Sequence, residues 1–156
     1  MSESQVDILL VEDNKEDVEL TLHTLRKENL ANHIHVVRDG EEALDFLFCR
    51  GAFSGRALPP LKLVLLDLKL PKVDGMEVLK KMKSDPQLKT IPVVILTSSK
   101  EERDLVNGYN LGANSYIQKP VDFDQFRSTV KTAGLYWLLI NQPPVFKALA
   151  QTAGQS

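Results

Sequence analysis

The stretch "ILLVEDN" occupies residues 8–14 and joins four apolar residues directly to two acids, Glu12 and Asp13. The apolar run has the length and composition of a buried β-strand. A carboxylate that is removed from water costs several kcal/mol unless a positive charge compensates it. The stretch therefore predicts a strand whose carboxyl end lies either in solvent or beside a cation.

Similar β-rich runs recur along the chain and alternate with segments of helical period, as in βαβ units around a parallel sheet. The predicted strands are "VDILLVE" (6–12), "HIHVVRD" (33–39), "LKLVLLD" (61–67), "TIPVVILTS" (90–98) and "NSYIQK" (114–119). The predicted helices cover about 15–28, 41–48, 74–83, 101–112 and 122–140. Five alternating units predict an α/β fold, a doubly wound five-stranded parallel sheet with right-handed crossovers and helices on both faces.

Bulk composition narrows the class of protein. With 156 residues, of which 43% are hydrophobic and 26% charged, the chain suits one compact domain over 1–142, followed by a tail at 143–156 that begins with Pro-Pro. A net charge of -2 provides no basic surface for direct nucleic-acid binding. The first residues, "MSESQVD", lack the positive and apolar regions of a signal peptide, and no apolar run comes near the roughly 20 residues that span a bilayer, so we expect a cytoplasmic protein without a membrane segment.

The isolated cysteine and two of the histidines receive structural interpretations. Cys49 cannot form an internal disulfide, since the chain has one cysteine, and its surroundings favour packing or a loop edge over reactivity. His33 and His35 would share one face of a strand, but the sequence supplies no nearby third ligand. We therefore expect solvated edge residues rather than a metal site.

Polar residues collect at the carboxyl ends of the predicted strands, where doubly wound sheets bind their ligands. Glu12 and Asp13 follow the first strand, Asp67 ends the third, Thr97-Ser98 ends the fourth, and Lys119-Pro120 follows the fifth. Three carboxylates at one rim repel each other unless a hard divalent cation lies among them. Mg²⁺ suits an open rim, because it binds one or two carboxylates and completes its shell with waters and phosphate oxygens.

This set of residues can support phosphoryl transfer. Asp67 as nucleophile would form an aspartyl-phosphate, a known role of carboxylates in covalent catalysis. The metal and Lys119 would neutralise the phosphoryl oxygens, and Thr97 and the backbone N–H groups after Asp67 would donate hydrogen bonds.

The same residues resemble the receiver domain of two-component response regulators over about residues 6–140. The resemblance rests on the Glu12-Asp13 pair, Asp67 followed by "LKLPKVDG", Thr97 in "ILTSS" and Lys119-Pro120, in this order along the chain. The loop at 49–60, the ending "YWLLINQPP" and the lack of an output domain further resemble the stand-alone cyanobacterial phytochrome response regulators.

The resemblance implies a role for each site residue. Asp67 would accept a phosphoryl group from a histidine kinase, a phytochrome in the narrower comparison. Mg²⁺ would bind Glu12, Asp13, Asp67 and the backbone carbonyl of Lys69, whose side chain at the pocket mouth would either slow or speed dephosphorylation. Lys119 would pair with the phosphate through a segment with a cis bond to Pro120. Thr97 and Tyr116 would form the switch pair.

The resemblance also implies an output by protein contact or phosphorelay, with no enzyme activity beyond the protein's own phosphorylation and dephosphorylation. The downstream protein is unknown. We expect a homodimer through the fourth and fifth predicted helices, because receivers pair on this face and the fifth helix ends in apolar side chains all round. The interface residues would be Val106, Tyr109, Leu135, Tyr136 and Leu139. Alternatively, the tail after Pro143 folds back over this patch.

Two alternative functions use the same residues. A haloacid-dehalogenase-like phosphatase also needs a strand-end aspartate and Mg²⁺, but it requires a second acid two residues later, where this chain has Lys69. A pseudo-receiver would bind partners without phosphate and would be expected to lack Asp67, an acid of the Glu12-Asp13 pair or Lys119.

Overall fold

The computed structural model describes residues 7–27, 33–55, 61–98, 113 and 115–132. The strands are β1 (Ile8–Val11), β2 (Ile34–Val37), β3 (Leu63–Asp67), β4 (Val93–Thr97) and β5 (Ser115–Gln118). The helices are α1 (Lys15–Lys27), α2 (Gly40–Leu47), α3 (Gly75–Ser84) and α4 (Phe123–Thr132), with a short 3₁₀ turn at Gly51–Phe53. Helix α4 corresponds to the first half of the fifth helix predicted from the sequence.

All five strands run parallel in one sheet with the order β2-β1-β3-β4-β5. This arrangement confirms the predicted doubly wound α/β fold. The chain moves from β1 to β2 on one side and then crosses to β3 on the other, so the strand order switches beside β1. The carboxyl ends of β1 and β3 therefore border the crevice where such sheets bind ligands.

Each face of the sheet is covered by a separate apolar cluster. Leu9 and Val11 of β1 belong to the cluster that includes residues of α2 and α3, whereas Ile8 and Leu10 belong to the one that includes residues of α1 and α4. Because both faces are buried, the three inner strands β1, β3 and β4 are continuous apolar runs instead of alternating ones. Full burial of each such side chain contributes about 1.5–3 kcal/mol, which makes the sheet a rigid base for the site.

Side-chain caps begin the helices. The side-chain oxygens of Asn14, Asp39, Asp74 and Asp122 accept hydrogen bonds of 2.7–3.0 Å from backbone N–H groups three residues later. Each such cap stabilises its helix by about 1 kcal/mol. Asp122 caps the start of α4 in this way.

One interpretation of the histidines is wrong. The ring of His35 is stacked on Phe46, with centroids 4.7 Å apart, and meets the edge of Phe53 at 5.5 Å. Its face of β2 is covered by α2 and by the 3₁₀ turn, so His35 packs in an aromatic group and is not a solvated edge residue. His33 does lie at the surface, with 42% of its side chain exposed, and its Nδ1 is 3.1 Å from Asp7.

Several predictions concern residues outside the described ranges. These are the fourth predicted helix, the second half of the fifth, the tail and the interface residues Val106, Tyr109, Leu135, Tyr136 and Leu139. In the loop after α2, Cys49 is partly exposed and has a φ of 54°. None of the helices within the described ranges combines enough length and apolar character to cross a bilayer.

Candidate functional site

The carboxyl ends of β1 and β3 bring three acids together. Glu12, Asp13 and Asp67 each place a carboxylate oxygen within 4.8 Å of the others. Glu12 is fully buried and Asp67 is 3% exposed, whereas Asp13 is open to solvent. Two of the acids are therefore buried, whereas the carboxylate of Asp13 is accessible to solvent.

Lys119, at the end of β5, supplies positive charge to this group. Its Nζ lies 3.0 Å from Asp67 Oδ2 and 3.2 Å from Glu12 Oε1. A third carboxylate, Asp17 Oδ2 in the first turn of α1, lies 3.1 Å from the same Nζ. Asp17 was not among the predicted site residues. Its spacing of four residues from Asp13, about one helical turn, was the available signal.

Burial and like charge control the ionisation of the site. Burial first, and then the hydrogen bond and charge of Asp67, raise the pKa of Glu12 to about 7. Burial by itself would lower the pKa of Lys119, but the hydrogen bond and charge of Asp67, with help from Glu12 and Asp17, raise it above its ordinary value. Three carboxylates, those of Glu12, Asp17 and Asp67, thus contact one ammonium group, and the Asp13 carboxylate lies close to two of them. A hard divalent cation fits this donor set, since its oxygen ligands carry excess negative charge and one side is open.

Backbone contacts hold the Asp67 carboxylate in position. The Lys69 N–H donates to Asp67 Oδ1 at 3.1 Å, while the Asn14 N–H donates to Glu12 Oε2 at 3.1 Å. The start of α3 packs against the same loop, because the Gly75 N–H donates to the Leu68 carbonyl at 2.9 Å. A Cβ at Gly75 would lie 2.4 Å from the Asp67 carbonyl oxygen, so only glycine permits this approach.

The strand register brings Thr97 close to Lys119. Thr97 is 3% exposed, is paired with Gln118 and accepts a 2.7 Å hydrogen bond at its carbonyl from the Lys119 N–H. The Lys119-Pro120 peptide bond is cis, as the resemblance implies. Tyr116 pairs with Ile95 and packs, partly buried, against the cluster on the α2 and α3 face. The predicted switch residues therefore lie on β4, which pairs with the strand of Asp67, and on β5, one strand further from it.

An open cavity of about 530 Å³ lies next to the acids. It is lined by Asp13, the segment 68–71, Asp74 and Met76. Lys69 thus lines the cavity beside Asp13. The exposed carboxylate of Asp13 is therefore accessible from this cavity.

Comparison with known proteins identifies the family. The profile of the response regulator receiver domain matches residues 8–131, most of the chain. The chain belongs to the response regulator receiver family. This membership confirms the resemblance found in the sequence and sets aside the haloacid-dehalogenase-like alternative.

Among members of this family, the receiver resembles phytochrome response regulators. It is 40% identical to response regulator Rcp1 of Synechocystis sp. over 84% of the chain and 88% of Rcp1. The bacteriophytochrome response regulator RtBRR has 47% identity and a TM-score of 0.82, with 97% and 92% of the two chains covered. The phosphorylated cyanobacterial phytochrome response regulator RcpA has 41% identity and a TM-score of 0.70, with 90% and 99% covered. A solved structure of Rcp1 is a Mn²⁺-bound form.

Proposed function

We propose that this receiver accepts a phosphoryl group on Asp67 from a histidine kinase, and that the kinase is a phytochrome. One observation carries the proposal: the nearly buried Asp67 carboxylate lies with Glu12 and Asp13 within 4.8 Å and with the Lys119 ammonium at 3.0 Å. Few roles other than phosphoryl acceptance need a buried acid, two further acids and a lysine together at the carboxyl ends of parallel strands. The likeness to RtBRR, Rcp1 and RcpA supports a phytochrome as the donor.

The acids would hold a divalent cation, which we propose to be Mg²⁺. Glu12, Asp13 and Asp67 would be its carboxylate ligands, and the backbone carbonyl of Lys69 its fourth ligand from the protein. When bound, Mg²⁺ supplies the positive charge that lets an anionic phosphoryl group approach three carboxylates. The Mn²⁺-bound form of Rcp1 supports this role for the acids.

Asp67, Lys119 and Thr97 would each have a separate role in the phosphoryl transfer. An oxygen of Asp67 attacks the phosphorus of a phosphohistidine, the P–N bond breaks with its electron pair going to the imidazole, and a P–O bond forms. Lys119 is already 3.0 Å from Asp67 Oδ2, so its ammonium is in place to pair with a phosphoryl oxygen. The Thr97 hydroxyl at the end of the next strand would donate a second hydrogen bond.

The switch would follow from these new contacts. Hydrogen bonds from Lys119 and Thr97 to a charged phosphate contribute about 1.5–3 kcal/mol each, and about 5.5 kcal/mol moves a population from 1:99 to 99:1. Two contacts can therefore bias the receiver toward an active conformer in which Tyr116 turns inward. The output would be a contact with another protein or a phosphorelay in the cytoplasm. A homodimer through the predicted fourth and fifth helices remains part of this proposal.

Phosphotransfer from purified kinases tests the function. Wild type, Asp67→Asn and the control Asp124→Asn, an exposed acid in α4, are mixed with radiolabelled phytochrome and non-phytochrome histidine kinases, with Mg²⁺ or with a chelator. We expect label on wild type and on the control, only with Mg²⁺, and fastest from the phytochrome. A wild type that no kinase labels would instead be a pseudo-receiver, and labelling of Asp67→Asn at the wild-type rate would exclude Asp67 as the acceptor.

A further inference from the structure

The Lys119 ammonium is paired with three carboxylates in the resting site. An ammonium group donates three hydrogen bonds. Three carboxylates form ion pairs with Lys119 Nζ at 3.0–3.2 Å, and they belong to Asp67, Asp17 and Glu12. A phosphoryl oxygen that pairs with this lysine therefore competes with these three acids for it.

The three acids differ in what the loss of Lys119 would cost them. The Glu12 side chain is 0% exposed, so it cannot exchange the lysine for water at low cost, and Asp67, whose side chain is 4% exposed, would itself carry the phosphoryl group and keep the lysine beside it. The Asp17 side chain is 26% exposed, and water can solvate it when the lysine leaves. Asp17 is therefore the partner that the lysine releases most easily.

The fold fixes Asp17 relative to Lys119 from both sides. The Asp17 N–H donates to Asn14 Oδ1 at 2.9 Å, which holds the residue in the first turn of α1. Later in the same helix, the Thr24 hydroxyl donates to the Val121 carbonyl at 3.3 Å, two residues after Lys119. A hydrogen bond thus holds helix α1 against the segment that follows β5, and this contact keeps Asp17 close to Lys119.

We propose that Asp17 is a positioning residue that competes with the phosphoryl group for Lys119 and so lowers the receiver's affinity for phosphate. In the resting site Asp17 holds the ammonium toward α1. When a phosphoryl group is present, the lysine exchanges Asp17 for a phosphoryl oxygen. The inference rests on the proposed function, because it concerns the anion that Lys119 meets at Asp67.

Beryllofluoride, a phosphoryl mimic, tests the competition with the full chain. Its affinity is measured by calorimetry at saturating Mg²⁺ for wild type and Asp17→Asn, and Mg²⁺ affinity is measured separately. Asp17→Asn should tighten beryllofluoride binding about fivefold, the factor of an ion pair at the upper end of the exposed range. The same variant should weaken Mg²⁺ binding, because the lysine then rests closer to the metal's own ligands.

Two matched variants separate positioning from a structural effect. Glu16→Gln removes the same charge from the same turn at an exposed position and should leave the beryllofluoride affinity within about twofold of wild type. Asp17→Glu should restore most of the wild-type behaviour. Weaker binding of both probes by Asp17→Asn would reveal a loosened helix and overturn the inference, as would an effect equal to that of Glu16→Gln. A wild type that does not bind beryllofluoride at all would refute the proposed function as well.

Discussion

Replacing Lys119 by methionine removes the positive charge among the site carboxylates and keeps most of the apolar side chain. The Lys119 side chain is 16% exposed, and its Nζ contacts acids that are 0%, 4% and 26% exposed. Loss of one partner from a buried ion pair costs about 3–5 kcal/mol, because the remaining charge stays buried without compensation. The metal-free protein should therefore unfold more easily.

Because the pKa of Glu12 is raised, we expect the cost of Lys119→Met to lie at the lower end of this range. Burial and the neighbouring Asp67 already raise that pKa to about 7 with Lys119 present, so Glu12 can bind a proton when the lysine is lost. At pH 8 we expect a loss of about 3 kcal/mol in the free energy of unfolding. At pH 6 the loss should be smaller, because protonated Glu12 no longer repels Asp67.

Urea unfolding followed by circular dichroism, in chelator, measures this cost. The control is Lys81→Met, which removes an exposed ion pair to Glu77 at 3.7 Å and should cost about 0.3–0.5 kcal/mol. Mg²⁺ at a hundred times its Kd should then restore about 2.7 kcal/mol to Lys119→Met. If Lys119→Met costs no more than Lys81→Met at pH 8, the lysine is not the compensating charge of the site and the electrostatic reasoning fails.

Three further predictions concern the site and its supports. The pKa of Glu12 in the folded protein lies above its ordinary value of 4.5. The stabilisation that Glu12 gives to the folded state is therefore fully present below pH 4.5 and is lost as the pH rises through about 7. In urea unfolding at a series of pH values, the free energy of unfolding of the metal-free wild type should thus fall by up to about 3 kcal/mol relative to that of Glu12→Gln over this pH range. If the two proteins show the same dependence of this free energy on pH, the pKa shift of Glu12 is refuted. Gly75→Ala places a Cβ 2.4 Å from the Asp67 carbonyl and should cost about 1–3 kcal/mol in urea unfolding, whereas Gly55→Ala, with nothing within 4 Å, should cost little; equal costs would contradict the packing argument. Asp122→Ala removes the cap that accepts from the Gln125 N–H at 2.8 Å and should lower the thermal midpoint by the equivalent of about 1 kcal/mol, and an unchanged midpoint would show that this cap contributes nothing.

The strands and their polar ends could be predicted because each rests on a local pattern. The apolar residues of a run such as "LKLVLLD" predict a buried strand, and the acid at the end of the run marks the carboxyl end of that strand. The observed strand β3, Leu63–Asp67, ends at the predicted residue. His35 illustrates the opposite case. Its sequence neighbours do not show that Phe46 and Phe53, on a later helix and turn, would cover its ring.

The sequence by itself determined the class of fold and which residue types stand at the strand ends, since both follow from periodicity and order along the chain. Only the tertiary structure decided how those residues meet. Glu12 and Lys119 are 107 positions apart, and their 3.2 Å contact depends on the strand order β2-β1-β3-β4-β5, which no local pattern encodes. Asp17 became part of the site for the same reason. The charge it faces comes from the far end of the sheet, and an ion pair depends on distance in space, not on separation along the chain.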